Sequence, residues 1–221
     1  VLLCVKFNGL CRNKAQLMYR TSYSSAGNQD EILEFMQQNN FITLIGFDGE
    51  YPVVTQVPVQ TVIHNDSIKL IGHIMIKTDH YRAFEQNPSV MAVFTGAHAY
   101  ISASVYEKPA SVSTWNYKTV QAKGSIRLMD SEETYQVVKE LTNQYENPET
   151  SPAAFNKMDE AYIQKHLKAI TGFEVLVKQI DHVFKMSQNH STKNQESIIA
   201  NLEKSEDAVA KEVAKEMKKN L

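Results

Sequence analysis

Three short stretches of this 221-residue chain carry side chains whose types and spacing suit ligand chemistry. The first is Lys77-Thr78-Asp79-His80-Tyr81-Arg82, where a strand hands over to a short helix. Thr78 or Asp79 can cap that helix, and free backbone N–H groups flanked by Lys77 and Arg82 suit a phosphate. The second holds the only tryptophan, Trp115, between Thr114 and Asn116 at the head of an alternating run. The third, Lys185-Met186-Ser187-Gln188-Asn189-His190, ends a strand with side chains that all donate or accept hydrogen bonds except Met186. Other chemistry is not signalled. None of the seven histidines forms an HxxxH pair, so no metal site is expected. GxGxxG, a P-loop and the GxSxG elbow are absent as well, and no catalytic residue is assigned.

Composition narrows the class. A formal net charge of −2 with 43% hydrophobic residues describes a globular protein, not a basic nucleic-acid binder or an acidic disordered segment. Cys4 and Cys11 both precede Met18, so disulfides and a tetrahedral cysteine–zinc site are excluded from the body of the chain. Residues 1–17 read as a leader or extension ahead of Met18. No stretch approaches the ~18 apolar residues that cross a bilayer, and the cytoplasm is the expected location.

Positioning these stretches requires a mainly β scaffold. A helix over NQDEILEFMQQNN starts at Asn28 and presents Ile32, Leu33, Phe35 and Met36 as a lid on a sheet. FITLIGFDGEYPVVTQVPV reads as two strands joined at Asp48-Gly49, a pair that favours a type I′ turn. His64-Asn65-Asp66-Ser67 turns into IKLIGHIMIK, a short helix runs from about Thr78 to Gln86, and VMAVFTG and Ala99–Tyr106 follow as strands. A loop containing Pro109 precedes the tryptophan strand. In that strand Trp115, Tyr117, Thr119, Gln121 and Lys123 point one way, and Asn116, Lys118, Val120, Ala122, Gly124, Ile126 and Leu128 form the core face. Trp115 is then either a packed aromatic or a ligand contact. Two helices follow, one capped by Ser131 and one ending near Gly172, then a last strand from Phe173. The C-terminus from about Asn194 is a mixed-charge helix with a weak stripe of Leu202, Val209, Val213 and Met217, read as a solvated face. The fold class is α+β: a six-stranded antiparallel split β-barrel over residues 18–190 with flanking helices, and a C-terminal helix over 191–221.

Several separated motifs, in order, resemble the PaiB-type family of FMN-binding proteins, described as negative transcriptional regulators. They are GHI at 72–74, FTGAHAYISASVY at 94–106, TWNY at 114–117 with Val120 and Gly124, AITGFEV at 169–175, and KMSQN at 185–189 followed by Ile198, Ile199 and Leu202. MYRTSY at 18–23 resembles the family's start. The resemblance implies a split barrel that forms a homodimer, with one FMN per subunit in a cleft between the chains. Trp115 and Asn116, with Lys185, Ser187, Gln188 and Asn189, are the candidates for holding the flavin ring, and Lys77, Thr78 and Arg82 for the phosphate. His73 of GHI completes the cofactor set. Met75-Ile76 stands where the family has Ala-Arg, so Lys77 replaces the expected cation.

The implied role is regulatory or sensory. DNA binding comes with the family label, but the charge pattern shows neither a helix-turn-helix nor a basic cluster outside the tail. A flavin-dependent oxidoreductase is the alternative, with His73, Tyr106 or Tyr117 as proton donor. A barrel that binds haem, or only mediates association, is the third reading.

Overall fold

The computed structural model describes residues 23–25, 28–64, 67–108, 111–219 and 221. The expectations for residues 1–17, Asn65, Asp66 and Pro109 lie outside the described residues. Six α-helices and seven strands alternate along the described chain: α1 (Gln29–Gln38), β1 (Phe41–Phe47), β2 (Pro52–Pro58), β3 (Gln60–His64), β4 (Ser67–Met75), α2 (Asp79–Gln86), β5 (Ser89–Ile101), β6 (Thr114–Leu128), α3 (Ser131–Tyr145), α4 (Glu160–Leu167), β7 (Ile170–Lys185), α5 (Thr192–Glu203) and α6 (Ala208–Lys218). They divide into two compact units. One comprises Met36–Phe94 and Gln121–Ile180; the other comprises Thr95–Val120, Asp181–Leu221 and the described residues up to Phe35.

In the first unit the strands follow the order β2-β1-β5-β6-β7-β4-β3. β2 and β3 stand at opposite ends of that order, yet only Val59 separates them in the chain. β1 pairs with β2 from Phe41↔Pro58 to Phe47↔Pro52, and β4 pairs with β3 from Gln60↔Ile71 to His64↔Ser67. β2 and β3 are therefore halves of one bent ribbon, and the seven strands close as the six-stranded barrel expected from the pattern. Pro58 has no N–H to continue a ladder, and Val59 N–H leaves the ribbon to donate to Asn40 O at 2.9 Å, which sets the bend. β4 passes so close to the bend that a Cβ on Gly72 would lie 2.8 Å from both Pro58 O and Phe173 Cζ. Ile42, Leu44, Ile68, Leu70, Phe94, Phe173 and Val175 fill the interior.

Local details differ from the sequence pattern where a side chain outcompeted a turn preference. The Asp48-Gly49 hairpin forms, but as a four-residue loop and not a type I′ turn: Gly49 has φ 105, and Asp48 is not in the left-handed region. The Asp48 carboxylate instead accepts the N–H groups of Glu50 (2.8 Å) and Tyr51 (2.6 Å), which hold its carboxyl below the usual range. α3 is capped by Asp130, not Ser131. Asp130 accepts from Glu133 N, Glu133 accepts from Asp130 N, and Arg127 grips the same Glu133 with two bonds of 2.9 Å. α4 ends at Leu167, earlier than expected, and β7 is already formed at Ile170.

In the second unit β5, β6 and β7 continue beside α5 and α6. VMAVFTG and Ala99–Tyr106, read as separate strands, are the single strand β5 followed by a 3-10 turn at Ala103–Val105 that Ser102 caps. The C-terminal segment is two helices, broken at Lys204 and restarted by Asp207, whose carboxylate accepts from Val209 N at 2.8 Å. They are not a solvated face: Ile198, Ile199, Leu202, Ala210, Val213, Ala214 and Met217 pack with Ala99, Ile101, Ala103, Tyr106 and Met186 in one buried cluster.

β6 alternates as the pattern requires, and its inward face includes Asn116 and Lys118. The Lys118 ammonium, its side chain 7% exposed, lies 2.7 Å from Glu216 of α6 and 3.3 Å from Glu31 of α1, and 4.7 Å above the Phe184 ring. Burial pushes the Glu216 carboxyl up, but bonds from Lys118 and Lys219 outweigh it and hold the group below its ordinary value.

Two substitutions test these constraints by urea denaturation. Gly72→Ala forces a methyl against the Pro58 carbonyl and costs about 1–3 kcal/mol. Lys118→Ala leaves two carboxylates facing an emptied core site and costs about 3 kcal/mol, whereas Lys118→Met keeps the stem packed over Phe184 and costs less.

Candidate functional site

The tryptophan of β6 lies on its outward face. Trp115 is 52% exposed and Tyr100 of β5 is 54% exposed. Their ring centroids are 5.8 Å apart at 66°, and His98 stands 6.2 Å from Trp115. These three rings wall a groove of about 360 Å³ closed by Asn201 of α5 and by Ser205 and Asp207 from the turn between α5 and α6. Two large, half-exposed aromatic faces with a carboxamide, a hydroxyl and a carboxylate opposite them suit a planar heterocycle with a polar edge.

Asn116, one residue on, faces inward and is fully buried. Its Oδ1 accepts from Ser187 Oγ at 3.0 Å, and its Nδ2 donates to Met217 Sδ at 3.4 Å. Ser187 is buried in the left-handed conformation, φ 60. Gln188 closes the same turn on itself: its Nε2 donates to Phe184 O at 2.6 Å and its Oε1 accepts from Met186 N at 2.7 Å. Lys185 Nζ donates to Thr114 Oγ1. The two polar stretches named from sequence, 71 residues apart, thus meet through Asn116–Ser187 and Thr114–Lys185. Asn189 is exposed. Trp115 is the group that borders the groove; Asn116, Ser187 and Gln188 hold its strand.

The cationic stretch belongs to the first unit. Thr78 caps α2, accepting from Tyr81 N at 3.3 Å and donating to Met75 O at 3.0 Å, so its hydroxyl is committed. Lys77 takes φ 65 and sits exposed just before the cap, with exposed Arg82 one turn on. Among the described residues neither is in an ion pair, and both are available to an anion. Asp79 opposes one: its carboxyl, held low chiefly by the His80 N–H, stands in the first helical turn. His73 pairs with Gly172, so both point to one face of the sheet; there Gly172 abuts Met129 and Thr134 of the α3 region. Burial pushes the His73 imidazole below its ordinary pKa, and its Nδ1 has no hydrogen-bond partner among the described residues.

The structure adds His98 and Tyr100, which sequence reasoning passed over. The signal was present: in AHAYI they alternate with Ala99 and Ile101, so two rings lie on the face opposite the core. Asn201, Ser205 and Asp207 carried no signal, because neither the helix break at Lys204 nor the face that α5 presents to the groove was visible. Among the described residues no cluster of three or more histidine, cysteine or acidic groups is placed to hold a metal.

An antiparallel barrel of this strand order is a split-barrel fold. Solved structures of similar fold include the FAD and heme binding protein from Mycobacterium smegmatis, with TM-score 0.58 and 12% identity over 79% of this chain and 78% of that one. The flavocytochrome Anf3 from Azotobacter vinelandii has TM-score 0.55 and 11% identity over 71% of this chain and 67% of that one. The family is closer than either: the chain belongs to the family described as "Putative FMN-binding domain", which matches residues 18–179, and FMN is the cofactor that description names. It is 30% identical, over 92% of its length and 98% of the relative's, to the protein of Bacillus subtilis (strain 168) named "Protease synthase and sporulation protein PAI 2". The PaiB-type resemblance of the motifs is thereby shown.

His73 makes a pH prediction. Its folded-state pKa is depressed, so below the ordinary 6.5 the unfolded chain binds the proton first and stability falls as pH drops toward the folded value. His73→Phe flattens that slope, which urea denaturation at pH 7 and pH 5 measures; an unchanged slope refutes the assignment.

Proposed function

We propose that this chain is an FMN-binding split-barrel homodimer with a regulatory or sensory role in the cytoplasm. The observation that carries the reading is the half-exposed Trp115–Tyr100 wall above a groove of about 360 Å³, a flat apolar face bordered by polar groups. An isoalloxazine ring asks for such a face, and a phosphate tail asks for cations, for which the family resemblance makes Lys77 and Arg82 the candidates. Thr78 contributes by fixing the helix start and Lys77 before it. When bound, FMN supplies redox chemistry, while the protein orients it. A second copy covering the exposed rings accounts for the dimer that the family resemblance implies.

The regulatory role finds support in the relative's name, which ties that protein to protease synthesis and sporulation. The oxidoreductase alternative gains less from the site. The Tyr106 hydroxyl is buried with no hydrogen-bond partner among the described residues, raised in pKa by burial, and His73 lies on the sheet face beside α3. DNA contact comes with the family label alone, since the sequence shows neither a helix-turn-helix pattern nor a basic cluster outside the tail.

The absorption spectrum after FMN addition is the primary test. Bound flavin is expected, with Lys77→Ala and Arg82→Ala each weakening it about tenfold or more, the loss of one charge-assisted bond. Trp115→Ala is expected to relieve quenching of flavin fluorescence. A protein that takes up no FMN ends this reading, and rapid turnover with a nicotinamide donor moves it to the oxidoreductase.

A further inference from the structure

Strand β6 is engaged on both faces by the same helix. Outward, Trp115 borders the groove whose lining includes Asp207, Val209 and Ala210, the cap and first turn of α6. Inward, Asn116 Nδ2 donates to Met217 Sδ at 3.4 Å and Lys118 Nζ donates to Glu216 Oε2 at 2.7 Å, both in the last turn of α6. One end of the helix therefore borders the groove, while the other is gripped by the strand that carries the groove's tryptophan. The pleat fixes Trp115, Asn116 and Lys118 to one another, so a shift of the strand on either face is felt on the other.

The helix itself has the character of an element that opens locally. At 11 residues α6 is shorter than an isolated helix needs to persist in water, so tertiary contacts hold it. Its buried stripe is Ala210, Val213, Ala214 and Met217, and two of those four are alanine, which bury little apolar surface. The exposed Lys218–Glu203 pair at 2.5 Å adds little. Docking therefore leans on the grip of Asn116 and Lys118, and the break between Lys204 and Asp207 gives the helix a hinge.

We propose that occupancy of the groove governs the docking of α6 on β6, which makes α6 the element through which this site signals; the inference rests on the reading that FMN occupies the groove. A ligand lying between Trp115 and the first turn of α6 binds the docked helix better than the undocked one, in which Asp207, Val209 and Ala210 have left the lining. Linkage then requires the reverse: the factor by which docking tightens the ligand is the factor by which the ligand holds the helix down. With the groove empty, α6 keeps only its stripe and the grip of Asn116 and Lys118. Its release uncovers Val213 and Met217 on the helix and the Lys118 ammonium on the strand, a surface that the filled site withdraws.

The test is amide hydrogen exchange on the full chain, with and without saturating FMN, beside an FMN titration. In the unaltered protein the amides of Lys211–Lys218 are expected to exchange at least about fivefold more slowly with FMN, while those of α4 in the other unit keep their rates. Glu216→Gln combined with Met217→Ala removes both anchors from α6 and touches no residue of the groove. That variant is expected to exchange at least about tenfold faster in α6 without FMN, to regain protection when FMN saturates it, and to bind FMN at least about fivefold more weakly. Exchange in α6 that ignores FMN overturns the proposal, and so does a variant with a fast-exchanging α6 that binds FMN as tightly as the unaltered protein. FMN binding with an unresponsive α6 sinks this proposal alone; an unaltered protein that takes up no FMN sinks the functional reading and this proposal with it.

Discussion

A strand that turns an ammonium and a carboxamide into its own core must be given partners, and much of the second unit is the set of partners β6 receives. Stripping water from the Lys118 ammonium costs several kcal/mol unless charges and dipoles replace it. Glu216 and Glu31 supply charge from α6 and α1, and Phe184 supplies a ring face. Asn116 makes the same demand one pleat earlier and is answered by Ser187 and by the sulfur of Met217. The left-handed backbone at Ser187 and the self-bonded Gln188 are how the chain turns sharply enough to put that hydroxyl there. Trp115 stands outward because its two neighbours on the inward face are fixed in this way.

Period-two patterning made the β architecture legible. Alternation in β6 correctly set Asn116 and Lys118 inward, though nothing in the pattern named their partners, which come from helices up to 101 residues away. Local turn chemistry was legible only in part. Asp48-Gly49 promised a hairpin and delivered one, but the turn type depended on which backbone groups the Asp48 carboxylate would reach. Asp130 displaced Ser131 as a cap because Arg127, on the preceding strand, fixes the Glu133 that completes the box. The two-helix C-terminus was misread because burial comes from its neighbours: a weak stripe in a Lys/Glu-rich segment carries too little information to reveal a dry face.

The site was legible as a set of residues and not as an arrangement. Motif order identified the family and its cofactor, and the pairing of the 114–116 and 185–187 stretches followed in the structure. Adjacent residues of one motif nevertheless do different work: Trp115 presents a surface and Asn116 braces the strand behind it. Spacing cannot separate those duties until the pleat is assigned. The cationic stretch divides in the same way, with Thr78 taken up by a cap while Lys77 and Arg82 are in no ion pair among the described residues.

The bend at Val59 carries a consequence for how the barrel assembles. β1, the ribbon and β4 are consecutive, so both ladders that the ribbon makes are hairpins between near neighbours, and closing such short loops costs little chain entropy. The seam between β4 and β7 joins residues such as Lys69 and Glu174, 105 positions apart, and its contacts repay a far larger loop. A three-strand meander around a hinge is thus the kinetically inexpensive part of this fold, and the β4–β7 seam is where its folding time is spent.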